Sequence, residues 1–351
     1  MTVESTEEEG AAPAAPAREE RGALLDTLFP EPTAGMVLHR VLAMAARTFL
    51  LNDRGDQPDE EARSDLTAEA LDATLATRPL WAQSAVGSLD GTDRRSSPVD
   101  RIHQSRVAMR RIRSNLRTFR LLLDPGWGTS LRAELAWYGN QLGRSRDLDI
   151  LAAVIDGTGS EVLDAADVDR LLAVLDTQRR VTVEQMAALR SGPRRARLTE
   201  QIIVLWDGPE FKPKAKRPAT DVLPVMLQRA RRDLRGTART AKKSPSDANL
   251  HAVRIRLKDL RYGCETVALV EGDPASKTAR AAERLQTKLG DLHDAVHSLD
   301  WLAALAHARG DLAAPIDELI AAQRARADDA RRGWKRELKE VDRRWRQWQN
   351  G

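Results

Sequence analysis

The chain is poor in the residues that make disulfides, thiolate metal sites and β-sheets. One cysteine, Cys264, stands among 351 residues, so an intramolecular disulfide or a thiolate metal cluster is excluded. Aromatic residues make up only 4%, and alternating β-branched runs are missing, which argues against strands. No run approaches the roughly 18 apolar residues of a membrane span. The residues after Met1 are acidic where a secretory leader would be basic. A reducing, cytoplasmic location is therefore expected. No GxxxxGK[ST] surrounds Gly143 or Gly290, so both read as positions of close helix packing and not as phosphate loops.

Acids are also missing where cations gather. The formal net charge is only +4, yet residues 101–120 hold seven Arg and no Asp or Glu. Residues 53–72 show the reverse, with eight acids against Arg54 and Arg63. Solvated helices normally interleave both signs, so such segregation points to an anionic partner.

What remains reads as all-α. Residues 1–33 form an acidic tail with an AAPAAPA stretch, expected to be disordered. Helical periodicity starts near Gly35, and an acidic insertion follows over 52–98. Helices are expected over 99–123, 129–155, 161–190, 194–206, 219–243, 246–270, 275–308 and 313–349, divided by Gly- and Pro-containing breakers. The basic, proline-rich stretch 207–218 reads as a joint between a first unit at 34–206 and a second at 219–351.

Two motifs recur at nearly one displacement. The run from His103 through Arg106 and Arg110 to Arg113 reappears from His251 through Arg254 and Lys258 to Arg261, 148 residues later. Leu142-Gly143, followed by Arg146-Asp147, reappears as Leu289-Gly290, followed by His293-Asp294, 147 residues later. The chain therefore contains a duplicated helical unit. On a helix, His103, Arg106, Arg110, Arg113, Arg117 and Arg120 fall within an arc of roughly 100°. His251, Arg254, Lys258 and Arg261 occupy the same arc in the second copy. Such a stripe repels itself and needs a counter-anion or carboxylates. Arginine suits phosphate because its planar fork donates two hydrogen bonds while staying charged.

The run HQSRVAMRRIRSNLRTFRLLL from His103 resembles the first signature of the CHAD family, the conserved-histidine α-helical domain. LHAVRIRLKDLRYGCE resembles its second, and LGRSRDLDIL and LGDLHDAVHSL resemble the motif that follows each. The resemblance covers about residues 34–349. It implies two four-helix bundles related by pseudo-twofold symmetry. It further implies a basic central groove or pore that binds inorganic polyphosphate, lined by His103, Arg106, Arg110, Arg113, His251, Arg254, Lys258 and Arg261. Arg117 extends the first stripe, and Arg146 and His293 occupy equivalent positions from which either can reach the anion. Arg40 is taken as the equivalent of Arg229, and both join the candidate set. Two departures from the pattern stand out. Arg40 to His103 spans 63 residues, against 22 from Arg229 to His251. Asp259 replaces the Arg111 of the first copy, at a position pointing away from the stripe, so both are read as structural or ion-paired.

Other functions fit less well. Asp147, Asp149 and Asp294 read as partners of arginine or turn caps, since a hard cation wants more oxygens gathered together. No metal and no cofactor is expected. Single-strand nucleic-acid readers interleave aromatics among their cations, and residues 101–120 contain only Phe119. Nucleic acid or a general polyanion is the alternative partner. Phosphoryl-transfer enzymes need acidic metal ligands or an activated nucleophile, so a non-enzymatic binding module, associated with polyphosphate granules, is the expectation. Trp334, Val341, Trp345 and Trp348 share a face suited to the last helix of a bundle.

Overall fold

The computed structural model describes residues 31–53 and 98–350. The expected tail falls outside the described residues through position 30, and the expected insertion does so from 54 to 97. Among the described residues ten long helices follow in order: α1 (Ala34–Asn52), α2 (Pro98–Thr118), α3 (Pro125–Val154), α4 (Ala165–Arg190), α5 (Pro193–Asp207), α6 (Ala219–Lys243), α7 (Asp247–Glu271), α8 (Asp273–Ala308), α9 (Ala313–Arg331) and α10 (Trp334–Gln349). The protein is all-helical. Among the described residues, extended pairing is limited to the isolated bridges of Thr33 with Pro218 and Leu123 with Phe211.

Local chemistry explains the helix starts. Thr33, Asp124, Asp164 and Ser246 each accept a hydrogen bond from the backbone N–H three residues on, at 3.3, 2.8, 2.8 and 3.3 Å. Each such cap is worth about 1 kcal/mol. Pro125, Pro193 and Pro274 sit in the first turns of their helices, where the missing N–H costs nothing. Three elements differ from the sequence reading. The helix expected to end at 155 continues through a π-turn at Ile155–Gly159 to Val162, and the one expected from 161 starts at Ala165. The helix expected over 99–123 ends at Thr118 and tightens into a 3-10 turn over Arg120–Leu122. The single helix expected over 313–349 divides around Gly333, where a β-carbon would fall 2.7 Å from Lys288 Cε. A side chain there would have to displace the flexible end of Lys288.

Helix α1 packs against α2 and α5, and α3 packs against α2 and α4. In the second half α6 packs against α7, α7 against α8, and α8 against α9 and α10. Helices also meet across the halves: α1 with α6, α2 with α7, and α3 with α8. Most of the core is one cluster drawing Leu38, Ile112, Leu135 and Ile202 together with Leu227, Leu257, Leu285 and Val341. A second cluster, including Leu151, Leu171, Leu302 and Ile316, joins the far ends of α3 and α8 to α4 and α9. Burying each such leucine contributes roughly 1.5–3 kcal/mol. The stretch 207–218 places the buried Ala215 against Gly35 and donates from Lys212 N–H to the Leu122 carbonyl at 2.9 Å.

Helix α1 is, among the described residues, long and apolar enough to cross a membrane, with a mean hydropathy of 1.3, and 67% of that stretch is buried within the fold. Its apolar character is spent on the core. At its end, the buried Asp53 accepts 2.8 Å hydrogen bonds from the Tyr138 hydroxyl and a 2.7 Å bond from Arg195 Nε. Arg195 is thus turned inward. Its neighbour Arg194 forks onto Glu134 and stacks over Trp137 at 3.9 Å. The stripe of Trp334, Val341, Trp345 and Trp348 is buried, so α10 is a packed helix.

Candidate functional site

The two helices carrying the repeated cation stripes lie against each other. Arg111 Nη2 donates to Glu265 Oε2 at 2.8 Å, and Arg117 Nη1 stands 3.4 Å from Asp259 Oδ2. A displacement of 148 residues carries Arg111 to Asp259 and Arg117 to Glu265. The two ion pairs are therefore one repeated contact with its signs exchanged. Both arginines sit on α2 and both acids on α7, which makes the pairing of copies complementary where identical copies would repel. Beside it, the buried Asn115 amide oxygen accepts from the Thr266 hydroxyl at 2.7 Å.

The open faces of the stripes converge at Lys258. Burial pulls its pKa down to about 7, and the charges of Arg254, Arg110, Arg106 and Arg113 act in the same direction. Four guanidinium groups from α2 and α7 thus share one ammonium's surroundings. Burial also lowers Arg106 to about 10, reinforced by Arg110 and Arg146 and opposed by Asp147 and Asp294. Burial lowers Arg254 too, with Arg110 adding to the effect and Asp294 opposing it. The acids are outnumbered in this cluster.

Small residues on the flanking helices make room for these cations. A β-carbon on Gly143 would stand 3.2 Å from Arg106 Nη1, and one on Gly290 would stand 3.4 Å from Arg254 Nη2. Both glycines belong to the second repeated motif, which thereby seats the arginine of the first. Arg106 Nη1, Arg110 Nε, Arg254 Nε and His251 Nδ1 are buried and make no hydrogen bond to any described residue. Each guanidinium donor left so costs on the order of 1–3 kcal/mol until an acceptor reaches it. An oxyanion placed here would supply the acceptors that these guanidinium groups lack.

The α7–α8 side of the cluster carries histidine. The rings of His251 and His293 are 4.6 Å apart between centroids. Burial, with Arg254 and His251 beside it, holds His293 down to about 4, and burial with Arg254 and Lys258 lowers His251. His297 stands 3.6 Å from Asp147. Asp149 meets Arg179 at 3.2 Å. Among the described residues no group of three or more His, Cys, Asp or Glu is placed to hold a metal ion. Cys264 is fully buried, and burial pushes its thiol up.

Not every candidate enters the cluster. Arg106, Arg110, Arg113, Arg254 and Lys258 meet there, with Arg146 acting on Arg106 and His251 and His293 at one side. Arg261 is engaged by Glu265 at 2.8 Å and Glu283 at 2.7 Å. Arg117 is held by Asp259, Arg40 is buried within α1, and His103 is exposed near the start of α2. Arg229 is exposed, and with Arg117 it lines a cleft at the other end of α2. Arg132 was missed: it lies close enough to lower Arg113. The repeat could not reveal it, because the position 147 residues on is Ala279.

Comparison with known proteins bears on the family and the fold. The family model of the CHAD domain matches residues 66–303. The uncharacterized proteins MT2285 and Rv2226 of Mycobacterium tuberculosis are each 29% identical over 296 residues, covering 80% of this chain. The chain spans about half the length of these relatives, 52% of each. Among solved structures, the CHAD domain of the plant Ricinus communis superposes with a TM-score of 0.62 at 18% identity, covering 90% of this chain and 93% of that one. PptA from Streptomyces chartreusis gives 0.60 at 20% identity, covering 88% and 99%. These likenesses concern the fold.

Proposed function

Because the chain belongs to the CHAD family, a family associated with polyphosphate binding, we propose that it binds inorganic polyphosphate through the cation cluster around Lys258. The observation that carries this reading is the set of buried guanidinium donors on Arg106, Arg110 and Arg254 that no described residue satisfies. A phosphate chain offers several acceptor oxygens per unit and no bulky base. The attraction is electrostatic, so displaced counterions make binding weaken as salt rises, by analogy with nucleic acids. Cations outnumber the acids gathered here, and on this reading the protein acts as a binding module and not as an enzyme. In the cell it works in the cytoplasm, on polyphosphate granules.

In the same reading the fold is two four-helix bundles, α1-α2-α3-α5 and α6-α7-α8-α10, related by a pseudo-twofold axis near the α2–α7 contact. The sign-exchanged pairs of Arg111 with Glu265 and Arg117 with Asp259 support it. Helices α4 and α9 then occupy equivalent places at the second core.

The test is a competition titration of labelled long-chain polyphosphate against single-stranded DNA at two salt concentrations. Poor competition by DNA at the higher salt is the expected result. Equal competition makes the cluster a general polyanion surface and moves nucleic acid ahead.

A further inference from the structure

A cleft of about 520 Å³ opens where the end of α2 meets α6 and α7. Arg117, Arg120, Arg229, Arg232 and Arg256 line it. Its acids are Asp233 and Asp259, and Asp259 is already committed to Arg117 at 3.4 Å and Arg256 at 3.6 Å. Arg256 Nη1 is nonetheless buried without a hydrogen bond to any described residue. Cations thus exceed acids here as they do at Lys258. The cleft lining contains no aromatic side chain on which a base could stack.

The two cationic sites are joined. The charge of Arg113 reaches Lys258 on one side, while Arg113 itself responds to Arg132, Asp259 and Arg117 on the other. Arg132 in turn responds to Arg117 and Arg120, which belong to the cleft. From Arg106 to the end of α2 the helix rises about 18 Å, at roughly 1.5 Å per residue.

We propose that the cleft is a second phosphate station on the same track, and that it makes the protein select condensed phosphate by chain length. The proposal rests on the polyphosphate reading of the Lys258 cluster. A short condensed phosphate fills one station alone. A chain long enough to run along α2 fills both, and its second contact forms at the high effective concentration that the first one creates. Arg120, Arg232 and Arg256 thereby become length-determining residues.

The experiment measures affinity for tripolyphosphate and for long-chain polyphosphate in the full chain and in Arg232→Gln/Arg256→Gln. The double variant is expected to lose about ten-fold for the long chain and to change by less than about two-fold for tripolyphosphate, because only the linked contact is removed. Arg232→Glu, at an exposed position, provides a second variant, with helicity checked by circular dichroism. Unchanged long-chain affinity in folded variants, or an equal loss for both probes, overturns the second station. Failure of the unaltered protein to bind either probe overturns the polyphosphate reading itself, and the length selection with it.

Discussion

The guanidinium of Arg106 lies against Gly143, with Nη1 3.2 Å from the point where a β-carbon would stand. Arg254 stands in the same relation to Gly290. A glycine at mid-helix costs about 1 kcal/mol relative to alanine, and here that cost seats a cation at the convergence of four helices. Gly143→Ala is therefore expected to keep or raise Tm while displacing Arg106 by a few tenths of an ångström. Losing part of one charge-assisted bond, about 1 kcal/mol, weakens polyphosphate binding roughly five-fold. Thermal unfolding and a binding titration on the same sample check both halves. A fall in Tm with unchanged affinity contradicts the seating role.

Charge reversal at the centre has a larger effect. Arg106→Glu together with Arg254→Glu replaces two converging cations by acids, and affinity is expected to fall by at least about 100-fold. Far-ultraviolet circular dichroism is expected to retain its helical signal. Unaltered affinity in the folded double variant removes the cluster from consideration as the site.

The Lys258 ammonium gives binding a pH dependence. Its pKa lies near 7 in the free protein, so it loses charge as pH rises through that value, and an anion there holds the proton on. Affinity is expected to fall between about pH 6 and pH 8, with proton uptake on binding, seen by calorimetry in buffers of differing ionisation heat. Lys258→Arg keeps its charge throughout and flattens this part of the profile. The linkage to stability follows from the same numbers. The unfolded chain, with its lysine near 10.5, binds more protons over the window from 7 upward, so this group makes the unliganded protein more stable as pH rises there.

The sign-exchanged contacts predict a rescue. Arg111 and Glu265 are largely shielded from solvent and 2.8 Å apart. Arg111→Glu faces an acid with an acid and is expected to cost about 1–2 kcal/mol of stability, of which Glu265→Arg restores a part. Denaturant unfolding of the singles and the double measures the coupling. Restoration is incomplete because Glu265 also holds Arg261.

Asp53 ties the end of α1 to α3 and α5 through Tyr138 and Arg195. Burial pushes its carboxyl up, against the opposing charge of Arg195 and the Tyr138 hydroxyl. Asp53→Ala leaves Arg195 half-buried without that partner and is expected to cost about 3–5 kcal/mol. Denaturant unfolding measures it. A change under about 1 kcal/mol shows that solvent serves Arg195 as well as Asp53 does.

The sequence by itself determined the helical class, most helix boundaries and the duplicated stripes, because these follow from local periodicity, capping residues and breakers. It also carried the core cations Arg106, Arg110, Arg254 and Lys258, through a repeat that one helix period explains. Only the tertiary structure decided which stripe residues stay open. Arg261 shares its arc with Lys258, yet Glu283 from α8 and Glu265 neutralise it. Arg132 and Arg232 join no repeated pattern, and packing alone brings them near the end of α2. Gly143 and Gly290 were legible as packing positions, but not as the seats of particular guanidinium groups. Periodicity records the face on which a residue sits; the charge it meets there depends on helices distant in the chain.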